Sequence, residues 1–261
     1  MWRPAGPYFT GAPLPTARPR YVWVFIAANL ALFAALTLSG GAQNPIVLIR
    51  FGANYAPLVR EGEYWRLFTA NFLHGNLAHV GFNTYALYTL GNQVEALYGS
   101  RRFVVIYLLA GMAGSITSYG LTHGLSVGAS TSLFGLFAAM VIFFYRQREL
   151  LGPLSRQQLT NLAILLLINF LIGITPGSRI DNWGHAGGFI GGLIVSWLLC
   201  PRYRRRDPIE SILVGVTQSA RSELANDYFA DANSLKSQAL PLALFVLGLA
   251  TAVSLINLVR G

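Results

Sequence analysis

Four residues in this chain have the types that acyl-transfer chemistry needs: Ser130, His185, His79 and Asn83. A serine hydroxyl becomes a nucleophile when a base takes its proton, and a neutral imidazole near pH 7 suits that task. His185 is the candidate base for Ser130. The tetrahedral intermediate then needs donors aimed at its oxyanion, and the side chains of His79 and Asn83 can supply them. Their i, i+4 spacing puts both on one helical face. A backbone N–H at the start of the helix carrying Ser130 adds another donor, because the first four N–H groups of a helix lack internal partners. Gly128, two residues earlier, lets the chain turn closely into that position.

The same residues also have structural readings. Ser130 lies in "VGASTSLFGLFAA" (127–139), and small residues commonly let membrane helices approach closely. Ser132 faces another direction and reads as packing. His185 lies in "NWGHAGGFIGGL", where Gly184, Gly188 and Gly192 form a stripe. The helix of Ser130 offers Gly128, Ser132 and Gly135 against that stripe, which would bring Ser130 within reach of His185. His74 and His123 read as loop hydrogen-bonding residues. No HExxH pair or comparable ligand set is present, so no metal is expected. A G-x-S-x-G elbow is excluded because position 132 is Ser where the second Gly would stand, and no strand precedes it.

The elements that must carry these residues follow from composition. The chain has 261 residues, 54% of them hydrophobic and only 11% charged, with a mean hydropathy of +0.49. A soluble domain carries about 25% charged residues, so a membrane protein is expected. The net charge of +9 is spread in short Arg clusters between apolar runs, which is how a membrane protein sets its orientation and argues against nucleic-acid binding. The single cysteine, Cys200, excludes an internal disulfide framework. A bilayer crossing takes roughly 20 apolar residues. The uncharged intervals hold spans near 21–39, 77–96, 157–175, 182–200 and 238–258, and 103–145 holds two more, broken near "LTHGLSVG". That makes seven helices.

Arg3, Arg18 and Arg20 precede the first span, Arg101 and Arg102 follow the second, Arg146, Arg148 and Arg156 follow the fourth, and Arg202 to Arg206 follow the sixth. The positive-inside rule then puts the N-terminus in the cytoplasm and the C-terminus outside. Ser130, His185, His79 and Asn83 all fall near the outer starts of their spans, at one depth. The loop 40–76 carries Arg50, Arg60 and Arg66 on the outer side, and its length suggests a folded or interfacial element. Residues 1–20 read as a cytoplasmic arm, 21–200 as a six-helix catalytic core, 201–237 as a cytoplasmic linker with an amphipathic middle, and 238–261 as a seventh helix and tail. No cleavable signal peptide is expected at the N-terminus.

With those residues in place, the chain resembles the rhomboid family of intramembrane serine proteases. "GASTSLFGL" (128–136) looks like the family's G-x-S-G nucleophile motif, "HGNLAHVGFN" (74–83) like its H-x-x-x-N motif, and "GHAGGFIGGL" (184–193) like its sixth-helix motif. "EYWRLFTANFLH" (63–74) is similar to the Trp-Arg segment of its first outer loop. The resemblance covers about residues 21–200. It implies an all-α polytopic membrane fold of six helices plus one C-terminal helix. It also implies a Ser130–His185 dyad with His79 and Asn83 as oxyanion donors. Trp65 and Arg66 would hold the outer loop, Glu95 would anchor the inner end of the second helix, and Phe134 would lie against the catalytic histidine. Asp181 is left out of the catalytic set, since the family works without an acid. The substrates implied are transmembrane proteins in the lipid bilayer, with no cofactor, and a prokaryotic plasma membrane is the expected location. One departure is Thr131, where the family typically has Gly, and a β-branched side chain there can crowd the oxyanion site. Two rival readings are a catalytically inactive relative that binds membrane clients, and a transporter or channel lined by His79, Asn83, His185 and Asp181.

Overall fold

The computed structural model describes residues 16–122, 124–175, 180–205 and 229–260. His123, Arg206, the first fifteen residues of the N-terminal arm and the middle of the linker lie outside these residues. Helix α1 (Tyr21–Leu38) is followed by three short helices, α2 (Pro45–Arg50), α3 (Ala56–Arg60) and α4 (Arg66–Thr69), and a 3-10 turn at Ala70–Phe72. Next come α5 (Leu77–Ala86), a π turn at Leu87–Gly91 and α6 (Asn92–Tyr98), which run on as one length of helix. The remaining helices are α7 (Ser100–Leu121), α8 (Ser130–Arg146), α9 (Arg148–Leu151), α10 (Pro153–Gly173), α11 (Asn182–Leu199) and α12 (Ala239–Arg260). The fold is an all-α polytopic membrane protein of six helices plus one.

On length and composition alone, three of the described helices are apolar enough to cross a bilayer: α1, α7 and the stretch 236–259, which takes in all but the last residue of α12. Helix α8 falls short by length, with 17 residues, and two others fall short by composition. Helix α11 is interrupted by five glycines and carries Asn182 and His185. The α5–α6 length carries His79 and Asn83 and Glu95. Polar groups at such depth are retained where they face protein or a wet cavity.

Glycine sets how closely the central helices pack. A Cβ at Gly188 would fall on the backbone of Thr131, and one at Gly192 would lie 2.5 Å from Gly135 Cα. The other side of α11 meets α7: a Cβ at Gly187 would lie 3.0 Å from the Ala113 carbonyl, and one at Gly191 2.5 Å from Ala113 Cβ. Helix α11 is thus wedged between α7 and α8, with no room for a side chain at either seam. The face that α8 presents is not the expected one. Thr131, Gly135 and Ala138 meet the stripe, whereas Ser132 packs at Gly111 on α7 and Gly128 faces His79. The reason is the helical period, since Thr131 and Gly135 are one turn apart and Ser132 sits about 100° around.

At the opposite end from Ser130, the fully buried Glu95 accepts hydrogen bonds from the backbone N–H groups of Arg20, Tyr21 and Val22 at 2.9, 3.0 and 2.9 Å. The Ser100 hydroxyl adds a fourth at 2.6 Å. A carboxylate from α6 therefore caps α1, answering both the orphan donors and the positive end of its dipole. The π turn brings α1 and α6 together: a Cβ at Gly91 would lie 3.0 Å from Val22 Cγ2. Six residues flanking the linker's middle depart from helix. Tyr203–Arg205 pairs antiparallel with Phe229–Asp231, held by an Arg102–Asp231 ion pair at 2.6 Å. Asn233 donates to the carbonyls of Leu198 and Cys200, both at 2.8 Å, and so closes the end of α11.

Candidate active site

The chain enters α8 through Gly128, whose φ of +135° is a conformation that only glycine adopts readily. Its N–H donates to the Ala70 carbonyl at 2.9 Å, which ties this loop to the end of α4. No side chain caps α8, and its first internal bond runs from Leu133 N–H to the Ala129 carbonyl. The earlier N–H groups of the helix, that of Ser130 among them, thus point out of its end without a capping side chain. Such an end is a site for negative charge.

Ser130 Oγ stands 2.8 Å from His185 Nε2. With the hydroxyl as donor, Nε2 accepts and the ring proton sits on Nδ1, which is buried and has no partner among the described residues. The imidazole is held by stacking: its ring lies 4.2 Å from that of Phe134, with the planes 16° apart. Phe134 is one turn after Ser130, so one helix supplies both the hydroxyl and the ring that orients its neighbour.

Asp181 is four residues before His185, yet its carboxylate makes no hydrogen bond to the imidazole Nδ1. It accepts from the Gly184 N–H at 2.9 Å, from Thr122 Oγ1 at 2.9 Å and from Ser126 Oγ at 2.7 Å, and Ser118 Oγ also donates to it. Asp181 is the N-cap of α11. Burial alone would raise its pKa, but the bonds from Ser118, Gly184, Ser126 and Thr122 outweigh that and hold it below the ordinary value.

His79 lies across Gly128 from Ser130. A Cβ at Gly128 would be 2.7 Å from His79 Nε2 and 3.6 Å from Ser130 Oγ. Asn76 caps α5 by accepting from His79 N–H at 2.8 Å, which fixes the turn that carries the ring. Asn83 is buried, and its Nδ2 donor has no partner among the described residues. A buried donor left open costs free energy at rest. It is the kind of group that waits for an acceptor to arrive.

His74 is fully buried beside the site, and its ring meets that of His79 edge-on at 5.1 Å. Burial first, then the nearby His79, push its pKa down to about 3, against a raising contribution from the Phe72 carbonyl. It is therefore neutral at pH 7, and its Nε2 accepts from Ala129 N–H at 3.5 Å. In the loop between α1 and α5, Arg66 Nε donates to Glu63 at 2.6 Å and Nη1 to the Ile49 carbonyl at 2.5 Å. Its guanidinium lies 4.6 Å from the centre of the Trp65 ring. The loop of α2–α4 is thus a folded unit pinned by one arginine.

Thr131, the residue after Ser130, is buried. Its Oγ1 donates to Asn71 Oδ1 at 2.5 Å, while Asn71 Nδ2 donates to the carbonyls of Leu67 and Phe68 and to Ser115 Oγ at 2.9, 3.1 and 3.0 Å. Asn71 was not singled out by the sequence reading. Its only signal was a place inside the Trp-Arg segment, where a polar loop residue draws no notice.

A family model described as the Rhomboid domain matches residues 61–202. The chain is 39% identical over 185 residues to the rhomboid protease GluP of Bacillus subtilis, an overlap of 71% of this chain and 36% of the relative. It is 33% identical over 183 residues to rhomboid-like protease 1 of Toxoplasma gondii, covering 67% of this chain and 60% of that one. It is 31% identical over 151 residues to the chloroplastic RHOMBOID-like protein 9 of Arabidopsis thaliana, covering 58% and 35%. The matches thus span less than two thirds of the length of each of these relatives.

Proposed function

The chain belongs to the rhomboid family, and from that premise we propose that it is a serine endopeptidase that cleaves membrane-protein substrates in or near their spanning helices. The observation that carries this reading is the 2.8 Å contact between Ser130 Oγ and His185 Nε2. In the proposed reaction His185 takes the hydroxyl proton as Oγ attacks the scissile carbonyl. The oxyanion collects Asn83 Nδ2, the His79 ring and an N–H at the start of α8. His185 then returns the proton to the leaving amine, and water, activated the same way, releases the acyl group. No cofactor takes part.

The substrate must present an extended peptide bond, since an intact helix hides its carbonyls in i to i−4 hydrogen bonds. The polar donors of the site also require water at a depth where lipid would leave them unsatisfied. With the N-terminus cytoplasmic, as the Arg clusters indicate, the site opens toward the outer face. An inactive client-binding role would need neither the Ser130–His185 alignment nor an open donor at Asn83.

The test incubates the purified full chain in detergent with a single-span fusion substrate. We expect site-specific cleavage by the wild type and losses of roughly a thousandfold or more in Ser130→Ala and His185→Ala. Undiminished cleavage in both variants would remove the assignment.

A further inference from the structure

Ser130 and His185 stand on different helices, so their separation depends on how α8 and α11 register against each other. The glycine seam brings the two close, the Phe134 ring stacks on His185, and Arg146 donates to the Trp197 carbonyl at 2.8 Å toward the other end. A further set of directional contacts is a run of hydrogen bonds that begins one residue after Ser130 and ends one residue before His185. Thr131 Oγ1 donates to Asn71, whose Nδ2 donates to Ser115 Oγ at 3.0 Å. The Ser115 carbonyl accepts from Asn54 Nδ2 at 2.8 Å. Asn54 and Ser126 exchange both backbone bonds at 3.0 Å. Ser126 Oγ then donates to Asp181, which accepts from Gly184 N–H.

We propose that Thr131 and Asp181 are positioning residues, the two ends of a hydrogen-bonded circuit through Asn71, Ser115, Asn54 and Ser126 that sets Ser130 against His185. The chemistry of the groups fixes the sense of each bond. The Leu67 and Phe68 carbonyls accept only, so the amide of Asn71 must face them and its oxygen must face Thr131. Thr131 is therefore the donor, and its hydroxyl is committed to Asn71. Gly, the residue that the family typically has here, offers no such donor. At the other end, Asp181 accepts only and gathers three hydroxyls and one N–H. The members are largely buried, with Thr131 at 5%, Asn71 at 4% and Ser115 at 4% exposure. Ser126 and Asp181 are half-buried, so water competes poorly for the bonds at the Thr131 end and more freely at the Asp181 end. The inference rests on the proposed Ser–His chemistry.

The experiment measures kcat and KM for substrate cleavage, the rate of Ser130 labelling by a fluorophosphonate, and the thermal midpoint, all on the detergent-solubilised full chain. Thr131→Val and Asp181→Ala should each lower kcat and the labelling rate roughly ten- to a hundredfold, with KM within about twofold of wild type. Thr131→Ser keeps the donor, and Asp181→Asn keeps an acceptor for Gly184 N–H, so both should recover most of the rate even where the first pair is less stable. The double variant Thr131→Val with Asp181→Ala should be little slower than the slower single variant. Wild-type kcat in Thr131→Val, a Thr131→Ser as slow as Thr131→Val, or losses that multiply in the double variant would overturn the circuit alone. A folded wild type that neither cleaves nor labels would overturn the catalytic reading and the circuit with it.

Discussion

The His185 imidazole lies flat against Phe134, with centroids 4.2 Å apart and planes 16° apart, and no carboxylate meets its Nδ1 among the described residues. An aromatic face does the orienting that an acid does in a triad. The stacking contact is worth about 0.5–1.5 kcal/mol, so Phe134→Leu should lower kcat by about tenfold at most. Phe134→Tyr, which keeps the ring, should stay near wild type. Steady-state cleavage kinetics separate the two.

Asn83 should divide activity from stability. Losing one oxyanion donor costs about a hundred- to a thousandfold in kcat. The Nδ2 donor is buried without a partner among the described residues, so Asn83→Ala removes an unmet group and should leave the thermal midpoint unchanged or raised. A variant that loses midpoint and rate together would show that Asn83 supports the fold instead.

Gly128→Ala should abolish activity. The new Cβ would lie 2.7 Å from His79 Cε1 and Nε2, at a backbone φ that L residues rarely adopt. His79 must then swing away from the proposed oxyanion position. Cleavage assays on Gly128→Ala, with the thermal midpoint as a control for folding, test this.

Acid should destabilise the fold in two steps. His74, outside the spanning helices, has its pKa lowered from 6.5 to about 3 by burial, so between those values the unfolded chain binds a proton that the folded chain refuses. Stability is full above about pH 6.5 and falls as pH drops through that window, by at most about 1.4 kcal/mol per pH unit for this group. Asp181 is held below its ordinary 3.8. Its contribution is present above that value and is lost only as pH falls further, through the folded-state pKa. Thermal midpoints measured from about pH 7.5 to about pH 4 should fall in the wild type and fall less steeply in His74→Phe.

Much of the fold was legible because apolar runs and Arg clusters are local signals. The helix holding His79 and Asn83 begins at Leu77, and α11 spans Asn182–Leu199, close to where the charge-free intervals put them. The π turn at Leu87–Gly91 left no mark, since it depends on how α1 crosses at Gly91. The pairing of Tyr203–Arg205 with Phe229–Asp231 joins residues far apart in sequence, and three-residue strands have no periodicity to read.

The candidate site was legible where the proposed chemistry needs a special residue type, as in Ser130 and His185, whose side chains meet at 2.8 Å. It was opaque where an ordinary polar residue does the positioning. Asn54 and Asn71 look like any loop asparagine until folding brings both to Ser115. In the sequence Thr131 shows only its bulk beside Ser130, and the bond from its hydroxyl to Asn71 emerges with the fold.

Covalent labelling tests the Ser130–His185 pairing most directly. The full chain in detergent is treated with a fluorophosphonate, digested, and the modified residue is identified by mass spectrometry in the wild type and in His185→Ala. The expected result is modification at Ser130 in the wild type, slowed by roughly a hundred- to ten-thousandfold without the base. Labelling at another serine, or equal labelling of Ser130 with and without His185, would contradict it.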